Sequence, residues 1–257
     1  MLEAINITMP DVPTKVERLR IGHITDLHVR QKQRRHTRII DALSHRPPDM
    51  LVLTGDYMDK PGDEAPAMDV LRAICNAIKP RLGSFGVFGN HDSGDLREQC
   101  EELPIKWLRD DCHSHEDVPI DVLGFDSDPN LRGDCISALN NLTNPGPDRF
   151  RLLLSHYPNQ ILTASDMNVH LMIAGHTHGG QCRLPGGKPL YNSTDMPLNL
   201  TSGILRHRST LCVVSRGLGE ANIQFRFMCP PQLPIYSLHR GPLLGQKSES
   251  VVNIKPW

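Results

Sequence analysis

Side chains of the kinds that bind metal ions occur in five separate stretches of this 257-residue chain, each just after an apolar run. Two of the stretches, Asp26-x-His28 and His176-x-His178, carry paired donors one residue apart. In extended backbone this spacing puts both side chains on one face, so each pair can reach the same ion. The other three stretches contribute Asp56, the neighbours Asn90 and His91, and His156.

These candidates are too numerous for one tetrahedral zinc site, and they suit two metal ions that share a carboxylate. Their mixed oxygen and nitrogen donors favour two divalent ions such as Mn, Fe or Zn. No cysteine is among them, which argues against a purely structural zinc site. Two such ions can lower the pKa of a shared water and so supply a nucleophile near neutral pH.

Each stretch on its own also has a structural explanation. Asp-x-His is a surface or capping pair in most proteins, and a lone histidine such as His156 is more often hydrogen-bonded than a ligand. Gly-His-x-His-Gly-Gly is more specific, because glycines let the backbone approach a ligand closely. The succession of all five stretches along one chain is what favours a metal site.

A predicted strand precedes each stretch. Buried strands are predicted over residues 19–24, 50–53, 83–88, 151–154 and 169–174. Helices are predicted over 30–44, 65–78 and 133–140, so strands and helices alternate and indicate an α/β fold. Ligands collect at the carboxyl ends of strands in such folds. Strands dominate the last third, and we expect a four-layer sandwich of two central mixed β-sheets flanked by helices.

Composition predicts a soluble globular protein, with 39% hydrophobic and 22% charged residues. The net charge of −1 disfavours a nucleic-acid partner. The seven cysteines are scattered without a Cys-x-x-Cys pair, which favours a reducing compartment. With no signal peptide and no membrane-spanning apolar stretch, we expect a cytoplasmic protein, and peripheral contact at the inner membrane surface stays open. We expect a single domain over 1–257, with a motif core over 19–220 and a loose tail over 241–257.

The five stretches resemble the motifs of the calcineurin-like binuclear metallophosphoesterases. That pattern is Asp-x-His, Gly-Asp-x-x-Asp, Gly-Asn-His-Asp/Glu, a later His, and Gly-His-x-His, and all five blocks are present in order from Asp26 to His178. The resemblance implies a two-sheet α/β sandwich. It also implies two groups of ligands joined by a bridge: Asp26, His28 and His178 for one metal, Asn90, His156 and His176 for the other, and Asp56 between them.

The resemblance further implies that His91 lies over the substrate and is oriented by Asp59. A hydroxide bridging the two metals would attack phosphorus in line, and His91 would stabilise charge on the phosphoryl oxygens or protonate the leaving oxygen. A carboxylate at Asp59 would raise the pKa of His91 and hold its orientation. Asn90 is a neutral ligand, which keeps the site positive enough to attract a phosphate.

Segments after the core motifs resemble a bacterial subgroup of these enzymes. They are Gly-His-Thr-His-Gly-Gly-Gln with Arg183-Leu184-Pro185, then residues 214–219, and Arg226-Phe227 before Cys229-Pro230-Pro231. The subgroup includes membrane-associated phosphoesterases and one type of UDP-2,3-diacylglucosamine pyrophosphatase. Arg183 and Arg216 are candidates for substrate phosphate contacts, since arginine can bind phosphate bidentately, although a structural surface role explains each equally well.

Several functions remain open at this point. The leading hypothesis is hydrolysis of a phosphoric ester or pyrophosphate in a phosphorylated small molecule or lipid-linked nucleotide. The alternatives are a soluble phosphodiesterase or phosphomonoesterase, a protein phosphatase or nuclease, and a catalytically silent binding module. The near-neutral charge disfavours a nuclease, and the complete set of ligands disfavours a silent module.

Overall fold

The computed structural model describes residues 2–126, 148–246 and 248–257, and in these ranges it contains two mixed β-sheets with helices on their outer faces. The helix predicted over 133–140 lies outside the described residues. The strands are Leu2–Met9 (β1), Arg20–Ile24 (β2), Met50–Thr54 (β3), Ser84–Val87 (β4), Lys106–Trp107 (β5), Asp111–Ser114 (β6), Ile120–Gly124 (β7), Phe150–Leu154 (β8), Leu171–Ala174 (β9), Gly203–His207 (β10), Thr210–Val214 (β11), Leu233–Arg240 (β12) and Val252–Lys255 (β13). The α-helices are Arg34–His45 (α1), Glu64–Ala77 (α2), Gly94–Cys100 (α3) and Ile161–Asp166 (α4).

The first sheet has the strand order β1-β12-β2-β3-β4-β5. Its strands β2, β3, β4 and β5 run parallel, whereas β12 pairs antiparallel with β2 and parallel with β1. The parallel strands are separated by α1 and α2, because a parallel pair needs a crossover connection and cannot be joined by a tight turn. The carboxyl ends of β2, β3 and β4 therefore lie at one edge of the sheet.

The second sheet has the strand order β13-β10-β11-β9-β8-β7-β6. Its centre, from β7 through β8 and β9 to β11, is parallel, and the outer strands pair antiparallel. Because β8 and β9 are parallel neighbours, the residues that follow them also lie at one edge.

Apolar side chains of both sheets meet in one central layer. Along β3, Val52 belongs to this layer, whereas Leu51 and Leu53 point to the opposite face and pack with α1 and α2. This alternation follows from the two-residue period of a strand, and β3 is buried on both faces. Complete burial of a side chain such as Val52 contributes about 1.5–3 kcal/mol. The predicted two-sheet α/β sandwich is confirmed.

The C-terminal segment differs from the expectation of a loose tail. Strand β13 pairs antiparallel with β10, and Ile254 and Trp257 pack against the central apolar layer. The Trp257 indole donates a hydrogen bond to the carbonyl of Val214 at 3.2 Å. The physical reason is that these apolar side chains gain a core contact at the sheet edge, which offsets the entropy lost on ordering. In the described ranges, no helix combines the length and apolar character needed to cross a bilayer.

Candidate metal centre

The five predicted ligand stretches meet at one edge shared by the two sheets. They follow the carboxyl ends of β2, β3, β4, β8 and β9. Among the described residues, three sets of donor side chains have ligand atoms within 4.8 Å of one another: Asp26 with His28 and His178, His28 with Asp56 and His91, and Asp56 with His156 and His176. Asp56 belongs to two of the sets, which is the position that a bridging carboxylate requires.

The loops that carry these ligands turn sharply. Five non-glycine residues at predicted ligand positions have left-handed backbone, with φ of 52° at Asp26, 42° at His28, 55° at Asp56, 71° at His176 and 51° at His178. Left-handed backbone costs a non-glycine residue about 1–2 kcal/mol. Such strain is retained where the surrounding structure fixes the backbone, and it commonly marks functional sites.

Two glycines allow the ligand loops to approach each other. A Cβ atom at Gly89 would lie 2.1 Å from Oδ1 of Asp56, and a Cβ at Gly175 would lie 2.6 Å from Oδ2 of Asp26. Neither contact is possible for a carbon atom, so only glycine fits at these positions. The close contact between the loops is therefore built into the sequence at Gly89 and Gly175.

Several nitrogen and oxygen atoms that can bind a metal ion face one another inside the cluster. The Nε2 atoms of His28 and His178 are 3.0 Å apart, and Nε2 of His156 lies 3.1 Å from Oδ1 of Asn90 and 3.2 Å from Oδ2 of Asp56. Oδ2 of Asp26 is buried and has no hydrogen-bond partner. An unpaired buried carboxylate oxygen is unfavourable, and a divalent cation would satisfy it together with the converging nitrogens. The donor set fits divalent metal ions.

Burial favours neutral rings at His176 and His178, whereas at His28 and His156 the nearby carboxylates outweigh burial and raise the pKa, that of His156 to about 9. His156 Nδ1 lies 2.7 Å from the carbonyl oxygen of Thr54, where it donates a hydrogen bond and leaves Nε2 directed at the cluster. Burial, assisted by the charge of His156, lowers the pKa of His176 to about 4. Burial also holds the pKa of His178 well below its usual value. Neutral imidazole is the form that binds a metal ion.

Asp92 has a supporting role that the sequence did not reveal. Its carboxylate accepts hydrogen bonds from the backbone N–H groups of Asp56 (2.9 Å), Tyr57 (2.8 Å) and Gly89 (2.7 Å). Burial and the nearby charge of Asp56 raise the pKa of Asp92 to about 6. These contacts join the loops that follow β3 and β4. The only sequence signal was an acidic residue at the end of Gly-Asn-His-Asp.

His91 and Asp59 are in contact, but through different atoms from those expected. His91 Nδ1 contacts the backbone carbonyl oxygen of Asp59, and the His91 N–H donates to Oδ1 of Asp56 at 2.9 Å. The Asp59 carboxylate instead lies 2.8 Å from Arg30 Nη2 and 3.5 Å from His28 Nδ1. The His91 ring is thus oriented by the Asp59 backbone, while the carboxylate faces a predicted metal ligand.

Neither Arg183 nor Arg216 joins the ligand cluster. The Arg183 guanidinium donates to the Gly179 carbonyl (2.8 Å), the Ser202 hydroxyl (2.6 Å) and the Trp257 carbonyl (2.7 Å). It lines a separate cavity of about 540 Å³ that includes none of the predicted ligands. Arg216 pairs with Glu3 and donates to the carbonyl of Pro230. Protein acceptors occupy both guanidinium groups.

A second cavity, of about 440 Å³, opens directly onto the ligand cluster. Asp56, Asn90, His91, His176 and His178 form its floor. Its walls include Leu190, Tyr191 and Ile223. We call this cavity the cleft.

Comparison with known proteins identifies the family. The model of the calcineurin-like phosphoesterase family matches residues 19–180. The chain is 26% identical over 250 residues to the uncharacterized metallophosphoesterase YkoQ of Bacillus subtilis (strain 168), covering 92% of this chain and 90% of that protein. It is also 26% identical over 281 residues to the UDP-2,3-diacylglucosamine pyrophosphatase LpxG of Chlamydia muridarum (strain MoPn / Nigg), covering 84% and 82% of the two chains.

A solved structure, TT1561 of Thermus thermophilus, is 13% identical and covers 77% of this chain and 89% of its own, with a TM-score of 0.48. The match to the family model covers more than half of the chain and contains all five stretches of predicted ligands. The resemblance noted in the sequence is confirmed: this chain belongs to the calcineurin-like phosphoesterase family and is a metal-dependent phosphoester hydrolase.

Proposed function

We propose that this hydrolase cleaves a phosphoric ester or pyrophosphate bond in substrates that carry an apolar group. A lipid-linked nucleotide such as UDP-2,3-diacylglucosamine is the first candidate. The observation that carries the proposal is that one cleft joins the ligand cluster to exposed apolar side chains. Leu190, Tyr191 and Ile223 line it and are 57%, 67% and 68% exposed.

Exposed apolar side chains also continue beyond the cleft wall. Phe225 and Phe227 are about half exposed, with ring centroids 6.3 Å apart. Contiguous exposed apolar surface on a soluble protein commonly marks a binding site. Full burial of one such side chain against a substrate contributes about 1.5–3 kcal/mol, which corresponds to at least a tenfold change in affinity.

The metal ligands in this proposal form two groups around Asp56. Asp26, His28 and His178 hold one divalent ion, and Asn90, His156 and His176 hold the second. Bound Mn, Fe or Zn ions supply Lewis acidity toward phosphoryl oxygens and lower the pKa of water. The remaining task falls to His91, which lines the cleft and whose Nδ1 is held by the Asp59 carbonyl, so Nε2 can meet a phosphoryl or leaving oxygen.

A basic segment beside the cleft supports peripheral contact with an anionic membrane. Residues 30–38 include five arginine and lysine residues and no acidic residue. Arg35 in this segment forms an ion pair with Glu220, which precedes the cleft residue Ile223 by three positions. Basic segments are attracted to anionic lipid surfaces. In this proposal residues 1–257 form one domain whose cleft receives its substrate at such a surface.

Product analysis by phosphorus NMR tests the substrate. Manganese-loaded protein is given UDP-2,3-diacylglucosamine, UDP-glucose, a simple phosphodiester and a phosphomonoester. We expect UMP release from the lipid nucleotide to exceed release from UDP-glucose by at least about tenfold, as burial of one apolar side chain predicts. Cleavage of only the simple esters would contradict the apolar substrate while leaving the phosphoesterase activity intact.

A matched pair of variants tests the cleft wall. Ile223→Ser removes an apolar side chain from the wall. Leu162→Ser is the control: Leu162 lies on α4 outside the cleft, and its side chain is 50% exposed. We expect Ile223→Ser to lower kcat/KM for the lipid nucleotide by about tenfold without affecting the simple diester. Leu162→Ser should change neither. Equal loss on both substrates in Ile223→Ser would argue against an apolar subsite.

A further inference from the structure

Two loops far apart in sequence supply the first ligand group. Asp26 and His28 follow β2, and His178 follows β9 in the other sheet. A turn over residues 216–220 lies against the first loop: the Gly219 N–H donates to the Asp26 carbonyl at 2.6 Å, and the Leu218 N–H donates to the Thr25 carbonyl at 3.2 Å. The position of Asp26 therefore depends on this turn.

The Arg226 side chain connects that turn to His178. Its Nε donates to the Gly219 carbonyl at 2.9 Å, and its Nη2 donates to the Arg216 carbonyl at 2.8 Å. On the other side, Nη1 lies 3.3 Å from the His178 carbonyl oxygen, and Nη2 lies 3.3 Å from Nδ1 of the same histidine. One planar group thus holds both the turn beneath Asp26 and the backbone carbonyl of His178, and it lies beside the ring of that histidine.

A second contact strengthens this connection. Cys229 is buried, and its thiol donates to the His178 carbonyl at 3.3 Å, while Arg226 Nη1 also donates to the Cys229 carbonyl at 3.3 Å. The donors of Arg226 are therefore directed at backbone carbonyls that surround a ligand. Lysine has a single ammonium group and cannot reproduce this fork of donors.

We infer that Arg226 is a positioning residue that clamps the Asp26 loop to His178 and so maintains the metal affinity of the Asp26–His28–His178 group. It does not act on the Asp56–His156–His176 group, whose ligand atoms it does not contact. Residues that orient metal ligands typically change metal affinity by 10- to 100-fold when they are replaced. This inference concerns metal binding and does not depend on the proposed substrate.

The test separates the two groups by removing one ligand at a time. His156→Ala leaves the Asp26–His28–His178 group, and His178→Ala leaves the Asp56–His156–His176 group. Binding of Mn²⁺ to metal-free protein is measured by titration calorimetry with and without Arg226→Met in each background. We expect Arg226→Met to weaken Mn²⁺ binding by about 10- to 100-fold with His156→Ala, and by less than about threefold with His178→Ala.

Unchanged Mn²⁺ affinity in the His156→Ala background would overturn the inference, and so would an equal loss in both backgrounds. Arg226→Lys keeps the charge and should give an intermediate loss; it also serves if Arg226→Met fails to fold. Arg206→Met is the matched control, because Arg206 likewise donates to backbone carbonyls, those of Arg208, Leu244 and Gly245, but contacts no ligand. It should leave Mn²⁺ affinity unchanged in both backgrounds.

Discussion

The close approach of Gly89 to Asp56 predicts that a side chain at position 89 lowers activity. Replacing Gly89 by alanine adds a Cβ atom 2.1 Å from Oδ1 and 2.4 Å from the backbone nitrogen of Asp56. Cβ atoms essentially never come closer than 3.0 Å to another atom, so the two loops must separate by at least about 0.9 Å. The same movement would lengthen the hydrogen bond from the His91 N–H to Asp56 and the one from the Gly89 N–H to Asp92.

The size of the expected effect follows from this displacement. Overpacking a well-packed site costs about 1–3 kcal/mol of stability. A shift of about 1 Å in reacting groups can lower the rate by about 100-fold. We therefore expect Gly89→Ala to remain folded under native conditions, with a lowered denaturation midpoint, and to lose about 100-fold in kcat/KM. Because Asp56 is the shared carboxylate of the cluster, bound metal should decrease as well.

The assay is hydrolysis of bis(p-nitrophenyl) phosphate by manganese-loaded protein, with bound manganese determined by mass spectrometry. Gly94→Ala is the control, because Gly94 is the first residue of α3 and a Cβ there would meet no atom within 4 Å. Its activity should stay within about twofold of the unmodified protein, since no contact changes. Gly89→Ala protein with full metal content and activity within about threefold of wild type would refute the reasoning.

Three further predictions concern the centre and its support. His91→Ala should retain bound manganese while kcat for the diester falls by about 100-fold or more, as expected for loss of a group that acts on the reacting oxygens; full turnover would rule out that role. Asp92→Asn should lower the free energy of unfolding by about 1–3 kcal/mol in urea denaturation, because its amide cannot accept all three backbone hydrogen bonds; an unchanged midpoint would contradict this. Burial lowers the pKa of His23 to about 3, so its neutral form stabilises the fold fully above pH 6.5, and that contribution is lost as the pH falls from 6.5 toward 3. Between pH 7.5 and pH 5 this contribution to the free energy of unfolding falls by about 2 kcal/mol. Over the same range, the free energy of unfolding of metal-free His23→Gln should therefore decrease by about 2 kcal/mol less than that of the metal-free unmodified protein. Equal decreases in the two proteins would refute the lowered pKa of His23.

The sequence alone was sufficient for the family and for the strands that precede the predicted ligands. Strong local patterns predicted β2, β3, β4, β8 and β9 with small errors at their ends, since each is an apolar run bounded by polar residues. Asp-x-His and Gly-His-x-His are local motifs, so their donor types and spacing were readable without a structure.

Elements held together by distant contacts were not predictable in the same way. Strand β13 pairs with β10 across 44 intervening residues of chain, and β10 is held between β13 and β11, while the sequences of β10 and β13 contain glycine and polar residues. Helix α4 has only six residues, too few to show a helical period. The order of strands in both sheets is likewise a long-range property.

The sequence by itself determined which side chains are available for metal chemistry and the order in which they occur. Only the tertiary structure decided how they are held: the Asp59 carbonyl, not its carboxylate, meets His91, and Asp92 joins the loops after β3 and β4. Arg226 contacts His178 from 48 residues away. The reason is physical. A donor type is a property of one residue, whereas a hydrogen bond between loops depends on where the packed sheets place both partners.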